Sequence, residues 1–382
     1  MSLIRHQGGA LHIVQIVPTI GPGSGVAGVA WNLDRELRKL GAEVESFTYS
    51  MSAPPRGIRY RGPFASQIAT MQRVIWFSTG GSRNARRFLA ERPDAVSICH
   101  NDAMVGDIYV NHGVLHAAMR ARGMVAFRYL RNPTHIFTHL RDRRRYQGDT
   151  HRVVVALSET EEQALRRAFG RVHPPVVVIP NGVDLDRFRP PSAEERRSAR
   201  ARLGLGTDER VVLFVGHEFG RKGLPLLVDA MPHAPGALLL VVGGDQRQIA
   251  TARRQAQAAG VSERVLFVGR QADVVPFVHA ADVFALPSAY EANALALLEA
   301  LAAGLPVIAT PVGGASSAIS EGRTGFLVPA DARVIGERID RLTREDLAPW
   351  RARARSSAAR FSWTGVAQQY LELARRVSRE RE

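Results

Sequence analysis

Twelve short runs of aliphatic and β-branched residues recur along this chain, almost all separated by stretches with helical spacing, and that alternation leaves few folds open. In the first half the runs are ALHIVQIV (10–17), EVESFTY (43–49), DAVSIC (94–99), DIYVNH (107–112), RVVVALS (152–158) and PVVVIP (175–180). In the second half they are RVVLFVG (210–216), GALLLVVGG (236–244), RVLFVG (264–269), DVFALPS (282–288), LPVIAT (305–310) and GFLVP (325–329). Continuous apolar runs of this length read as strands buried on both faces. Strands joined through helices make a parallel sheet with helices on either side. The Pro- and charge-rich stretch 180–209 divides the series into two equivalent halves. The expectation is an α/β chain with two facing, Rossmann-like, doubly wound domains, residues 1–180 and 181–360, a cleft between them, and a last helix in 361–382. In such sheets ligands bind at the carboxyl ends of the strands.

Composition narrows the functional classes. A length of 382 residues suits two full-sized domains, and 45% apolar content excludes wholesale disorder. The single cysteine, Cys99, excludes an internal disulfide framework and a cysteine-built zinc site. No run of 18 apolar residues predicts a membrane-spanning helix. The start, MSLIRHQGGALHIVQIVP, runs straight into the first strand without a signal-peptide cleavage pattern, so a cytoplasmic protein is expected. Lys plus Arg minus Asp plus Glu is 51 − 36 = +15, yet only Lys39 and Lys222 are lysines. The arginine bias reads as genome composition. The charge suits nucleic acid, an anionic membrane surface or a phosphorylated substrate, and alone chooses none of them.

Several motifs sit at predicted strand ends. Gly23-Ser24-Gly25-Val26-Ala27-Gly28 spells G-x-G-x-x-G between the first strand and a helix closed by Gly41. Glycines there let backbone approach a phosphate at a helix N-terminus. A dinucleotide site also wants a carboxylate ending the second strand, and Phe47-Thr48-Tyr49-Ser50 has none. Nicotinamide dinucleotide, another phosphate or hydroxyl ligand, and a simple tight turn all stay open for this loop. Asp184-Leu185-Asp186 reads as a capped turn rather than a metal pair. His112 and His116 are four apart with no third ligand in register, so no metal site is expected.

The second half carries more chemistry. GHEFGRKG (216–223) follows a strand, leads into a helix and presents adjacent Arg221 and Lys222, a planar fork and a compact point charge that a diphosphate can use together. In 286–314, LPSAYEANALALLEALAAGLPVIATPVGG, Glu291 and Glu299 frame seven residues. The spacing predicts a helix beginning just after Glu291, with Glu299 two turns deeper. The amides of Asn293, Ala294 and Leu295 would then stay free for phosphate or sugar oxygens. Glu299 lies in an otherwise apolar helix, where an unpartnered carboxylate is costly, and this points to a ligand.

These residues resemble the retaining glycosyltransferases of family 4 (GT4), which have the two-Rossmann GT-B fold. The resemblance rests on the glycine loop 21–28, His112, VIPNGVD (178–184), FGRKG (219–223), the Glu-x7-Glu element and AAGLPVIATPVGG (302–314). FGRKG is similar to the lipopolysaccharide-core enzymes of that family. The resemblance implies that Glu299 holds the ribose hydroxyls of a UDP- or GDP-sugar and Glu291 the sugar hydroxyls. Arg221 and Lys222 would neutralise the departing diphosphate. His112 would sit near the donor sugar. Gly23, Gly25 and Gly216 would let backbone approach the donor, and the last helix would cross back onto the first domain. Three positions depart from the family pattern: His217 where many relatives carry Arg, Ala292-Asn293-Ala294 where many carry Gly-Phe-Gly, and Ser316-Ser317 where Glu is common.

The implied reaction is metal-independent sugar transfer to a hydroxyl acceptor with retention of configuration, for a cell-envelope glycolipid or polysaccharide precursor. Residues 119–152 contain nine Arg and two Asp among Phe127, Tyr129, Phe137 and Tyr146. Such a surface suits an anionic or lipid-linked acceptor, or peripheral contact with an anionic membrane face; a solvated Arg-rich helix is the simpler reading. Two other classes stay open as alternatives. A nicotinamide-dependent oxidoreductase leaves Glu291, Glu299 and Lys222 without a task. A nucleic-acid-binding protein lacks any recognised module, so no nucleic acid is expected.

Overall fold

The protein is described by a computed structural model covering residues 10–23, 25–54, 65–123, 129 and 132–381. It divides into two compact units. One falls within Met1–His116, Ala126–Pro180 and Trp363–Glu382, the other within Ala117–Val125 and Asn181–Ser362.

Each predicted run forms a strand, most of them trimmed at the ends; β3 instead runs one residue past its predicted end, to His100. The first unit holds β1 (His12–Ile16), β2 (Glu43–Phe47), β3 (Val96–His100), β4 (Ile108–Asn111), β5 (Val153–Ala156) and β6 (Val176–Val178). They form one parallel sheet in the order β2-β1-β3-β4-β5-β6. The second unit holds β7 (Arg210–Val215), β8 (Ala237–Val242), β9 (Val265–Gly269), β10 (Val283–Leu286), β11 (Val307–Ala309) and β12 (Gly325–Leu327). Its parallel order is β12-β11-β10-β7-β8-β9. Strand cores such as Val211–Phe214 are fully buried, as the apolar runs require.

Both orders reverse once. In the first sheet the switch falls between β1 and β3, in the second between β7 and β10. Crossover helices leave in opposite directions at such a point and open a crevice at the strands' carboxyl ends. The glycine loop follows β1 and His100 ends β3; Gly216 follows β7 and the Glu291 loop follows β10. The sequence motifs therefore mark the switch point of each sheet.

The helix Gly25–Lys39 is closed by Gly41 at φ +86°, a conformation that favours glycine. Against it packs the last helix, Trp363–Arg379, burying Val366, Ala367, Tyr370 and Val377. Thr364 Oγ1 donates to Glu36 at 2.9 Å, and Arg381 pairs with Asp107.

One expectation changes. The Arg-rich stretch is not uniformly a surface: Arg145 and Tyr146 are buried. Arg145 bonds Asp142 at 2.8 Å and the Ala103 carbonyl at 2.9 Å, and its guanidinium lies over the Tyr109 ring. Arg141 pairs with Asp102 at 2.6 Å and Asp142 at 2.8 Å. A guanidinium can be buried when most of its charge is met in this way, although the Arg145 Nε itself has no hydrogen-bond partner. Phe127 lies outside the described residues. In D-x-D, Asp184 Oδ1 accepts from the amides of Asp186 and Arg187, the capped turn expected.

Candidate functional site

In the second unit β7 runs into Gly216, a short loop and the single helical turn Phe219–Lys222, which ends at Gly223 in the left-handed region (φ +81°). Glycine is required at 223 twice over, because a Cβ would also stand 2.0 Å from the Pro287 carbonyl oxygen. Gly216 makes room in the same way. A Cβ there would lie 2.3 Å from Lys222 Cδ, so its bare backbone is the bed on which the lysine stem rests.

Ala289 N–H bonds the Arg221 carbonyl at 2.8 Å and ties this turn to the loop after β10. That loop brings Glu291 onto both cations. Glu291 Oε1 is 3.1 Å from Lys222 Nζ and 3.2 Å from Arg221, and accepts from Ser288 Oγ at 3.1 Å. Arg221 also donates to the Tyr290 carbonyl at 2.5 Å and pairs with Glu218. The two cations are thus prepositioned, with Glu291 supplying the anion. Gly313, at φ +56°, packs under Glu291; a Cβ there would come within 2.2 Å of Glu291 Cβ.

The helix of the Glu-x7-Glu element starts later than the spacing suggested, at Leu295, and ends at Ala302. Glu299 therefore stands about one turn inside it, not two. Ala294 N–H is committed to the Gly313 carbonyl at 3.2 Å, so the expected free amide there is taken. Among the described residues the amides of Leu295 and Ala296 have no partner, the first two of the orphan donors every helix start carries. Asn293 sits in the loop just before them.

Glu299 has no ion pair or side-chain hydrogen bond among the described residues. Burial pushes its carboxyl up to about 7, against the pull of Arg187 and Lys222. A recessed carboxyl without a partner, beside two orphan amides and two cations, is a set of groups that a diphosphate with vicinal hydroxyls would satisfy.

The first unit carries Gly23, Gly25 and His112. Gly23 (φ +126°) and Gly25 (φ +76°) both take backbone conformations that favour glycine. Gly28 closes the turn; a Cβ on it would stand 1.9 Å from the Gly23 carbonyl oxygen. His112, directly after β4, lies half-buried with Nε2 at 2.9 Å from His100 Nδ1. His100 Nε2 in turn is 3.0 Å from Gln15 Oε1. Neither Gln15 nor His100 was singled out from sequence. Their signal was polarity in the wrong place: Gln15 interrupts the first apolar run, and His100 closes the third.

The structure joins Gly216, Arg221, Lys222 and Glu291 by direct contact, sets Ala294, Leu295 and Glu299 on the adjoining helix, and carries Gly23, Gly25 and His112 on the other unit. Among the described residues no group of three or more His, Cys, Asp or Glu could hold a metal ion.

Two family models match side by side. The one described as Glycosyltransferase Family 4 takes residues 23–187, and Glycosyl transferases group 1 takes residues 195–361. The chain thus carries a Glycosyltransferase Family 4 domain followed by a Glycosyl transferases group 1 domain. It is 39% identical over 241 residues to D-inositol 3-phosphate glycosyltransferase of Nocardia farcinica, a match covering 57% of this chain and 51% of that protein. It is 36% identical over 244 residues to the protein of that name from Xylanimonas cellulosilytica, covering 60% and 58%. The chain thus spans about half the length of the curated relatives it matches.

Solved structures agree on the GT-B fold. WaaG, a glycosyltransferase involved in lipopolysaccharide biosynthesis, superposes with TM-score 0.73 at 20% identity over 95% of this chain and 99% of its own. Sucrose-phosphate synthase from Thermosynechococcus elongatus gives 0.73 at 24% identity over 96% and 99%. Anabaena Alr3699/HepE in complex with UDP-glucose gives 0.66 at 20% identity over 94% and 98%.

Proposed function

We propose that this family 4 glycosyltransferase moves a sugar from a UDP- or GDP-sugar to a hydroxyl of an anionic or lipid-linked cell-envelope acceptor, with retention and without a metal cofactor. The observation that carries the reading is the Arg221–Lys222–Glu291 cluster beside the partnerless Glu299. On donor binding the diphosphate takes the place of the Glu291 oxygen on the two cations. Glu291 is released toward the sugar hydroxyls, and Glu299 accepts from the ribose hydroxyls. The amides of Leu295 and Ala296 donate to phosphate oxygen. As the bond from the anomeric carbon to phosphate breaks, its electron pair goes to the leaving oxygen, where Lys222 and Arg221 meet the growing charge. The acceptor oxygen attacks the same face and its proton passes to the departing phosphate. The UDP-glucose of HepE supports the donor class, and the inositol phosphate in the relatives' name supports a phosphorylated acceptor. A panel of UDP-, GDP- and ADP-sugars screened for slow hydrolysis without acceptor tests the reading. One activated sugar should be consumed; an inert panel that also leaves thermal stability unmoved counts against it.

A second observation supports peripheral contact with an anionic membrane. The β3–β4 connection, residues 101–107, has no crossover helix, and a cavity of about 990 Å³ opens there between helices Ser82–Ala90 and Pro133–Gln147. Arg83, Arg86 and Arg144 line it and are exposed, without ion-pair partners among the described residues. Leu140, 60% exposed, lines it too, and Ile136, 46% exposed, lies on the same helix. Cations beside apolar side chains match an anionic headgroup above acyl chains. Co-sedimentation with phosphatidylglycerol vesicles should exceed that with phosphatidylcholine vesicles and fall in the Arg83→Ser/Arg144→Ser double variant; equal binding to both vesicles overturns this.

A further inference from the structure

The first unit buries a carboxyl for which the donor reading has no task. Ser158 caps the helix Glu159–Phe169, its Oγ accepting from the Glu161 amide at 3.2 Å, and the Glu161 side chain at this start is only 1% exposed. Its Oε2 accepts from the Leu157 amide at 2.6 Å, and its Oε1 stands 3.1 Å from Asn111 Nδ2. Asn111 Oδ1 is 3.0 Å from the Tyr146 hydroxyl. Asn111 and Tyr146 are buried as well. Glu161 has no ion pair among the described residues. Tyr146, on the helix Pro133–Gln147, and Tyr370, on the last helix, are the titratable groups that feel its charge, and neither is a cation. Arg145, next to Tyr146, gives its terminal nitrogens to Asp142, Tyr109 and the Ala103 carbonyl. A carboxylate in this setting is costly, and burial pushes Glu161 up to about 8.

One proton sets the direction of this chain of hydrogen bonds. Oε2 already accepts from a backbone N–H, so an acid proton belongs on Oε1. With the proton there, Oε1 donates, and Asn111 must turn Oδ1 to it and Nδ2 to Tyr146. With the proton lost to solvent, Oε1 accepts from Nδ2, and the Tyr146 hydroxyl donates to Oδ1. A hydroxyl serves either way. The structure has Nδ2 on Oε1, the proton-free arrangement, and a half-turn of one amide gives the other without displacing its neighbours. We infer that Glu161 is a pH-sensitive switch whose proton sets which way the Asn111 amide faces, and that the turn is felt at His112, the next residue along the chain. Asn111 is the last residue of β4, so the switch acts at the carboxyl edge of the first sheet. Its parts all belong to the first unit.

Nuclear magnetic resonance of the full chain without ligand tests this, with ¹³C in glutamate carboxyls, ¹⁵N in asparagine side chains and ¹³C in histidine rings. Glu161→Gln carries the acid arrangement permanently: its carbonyl accepts from Leu157 and its NH2 donates to Asn111 Oδ1. In the parent, the carboxyl resonance that Glu161→Gln lacks should titrate at about 8, and the Asn111 amide and His112 ring signals should move with it. In Glu161→Gln both signals should stay where the acidic parent has them. A Glu161 carboxyl already ionised at neutral pH overturns the proton binding. A titration that leaves Asn111 unmoved overturns the amide turn, and one that moves Asn111 but not His112 overturns the reach to the site residue. Denaturation across pH gives an independent answer. The folded carboxyl lies above its ordinary 4.5, so its stabilising share is whole below about 4.5 and lost as pH rises to about 8. Relative to Glu161→Gln, the unfolding equilibrium constant of the parent should rise about tenfold per pH unit across that window and level off above it. A difference that does not change with pH overturns the assignment.

Discussion

The two switch points solve different problems with the same topology. At β7/β10 the groups are charged, mutually paired and seated on glycines that admit no side chain. At β1/β3 they are buried polar groups, linked by hydrogen bonds to a glutamine, and end on His112. The lesson is that a sheet's carboxyl edge does not dictate chemistry. A chain that delivers Gly216, Gly223 and Gly313 can press two cations against one carboxylate. A chain that buries Gln15 can only hold a dipole there.

The largest effect should come from removing the charge. Lys222→Ala is expected to lower turnover roughly 100- to 1,000-fold with little change in melting temperature. Glu291 keeps Arg221 in that variant, so the fold has no new buried lone charge. Near-normal turnover would erase the distinction between the two regions. Next comes displacement without deletion. Gly216→Ala keeps both cations but drives a methyl into the Lys222 stem, and a lysine shifted by about 1 Å should cost roughly 10- to 100-fold in kcat. A fully active Gly216→Ala would mean that the lysine's position is immaterial.

Glu299 gives a smaller effect with a pH signature. Its folded pKa of about 7 lies above the ordinary 4.5, so its contribution to stability is whole below about 4.5 and lost as pH rises through 7. Glu299→Gln should therefore be more stable than the parent at pH 8, by about 3 kcal/mol, with the gap closing toward pH 4. The same variant should bind nucleoside diphosphates more weakly. Thermal melts across pH, with and without nucleotide, check both; a gap that does not change with pH contradicts the assignment. Gly313→Ala should cost about 1–3 kcal/mol, through its positive φ and the contact with Glu291, and raise donor KM. Equal loss of stability with donor KM unchanged would make Gly313 purely architectural.

Much of this was legible in the sequence because a doubly covered strand is filled mostly by apolar side chains. Most strands stood out as apolar runs; β2, with two glutamates and a serine in five residues, is the exception and is only partly buried. Arg221, Lys222, Glu291 and Glu299 were legible as charges placed beside strand ends. The helix start was not. Ala292 and Ala294 suit a helix by composition, but the Ala294 amide is bonded to Gly313 nineteen residues away, and that bond holds the segment as loop until Leu295. The Gln15–His100–His112 chain was illegible for the same reason: its members come from two strands and the loop after a third, and only the fold shows which of the scattered histidines meet.

The most direct measurement is a calorimetric cycle in which the protein and the ligand are cut at the same place. UDP, UMP, GDP and GMP are titrated into the parent and into Lys222→Ala. The parent should prefer the diphosphate of one base by at least about tenfold, and Lys222→Ala should lose that preference while binding the monophosphate as before. If Lys222→Ala weakens monophosphate and diphosphate equally, the lysine does not face the β-phosphate, and the charged switch point is not the donor site.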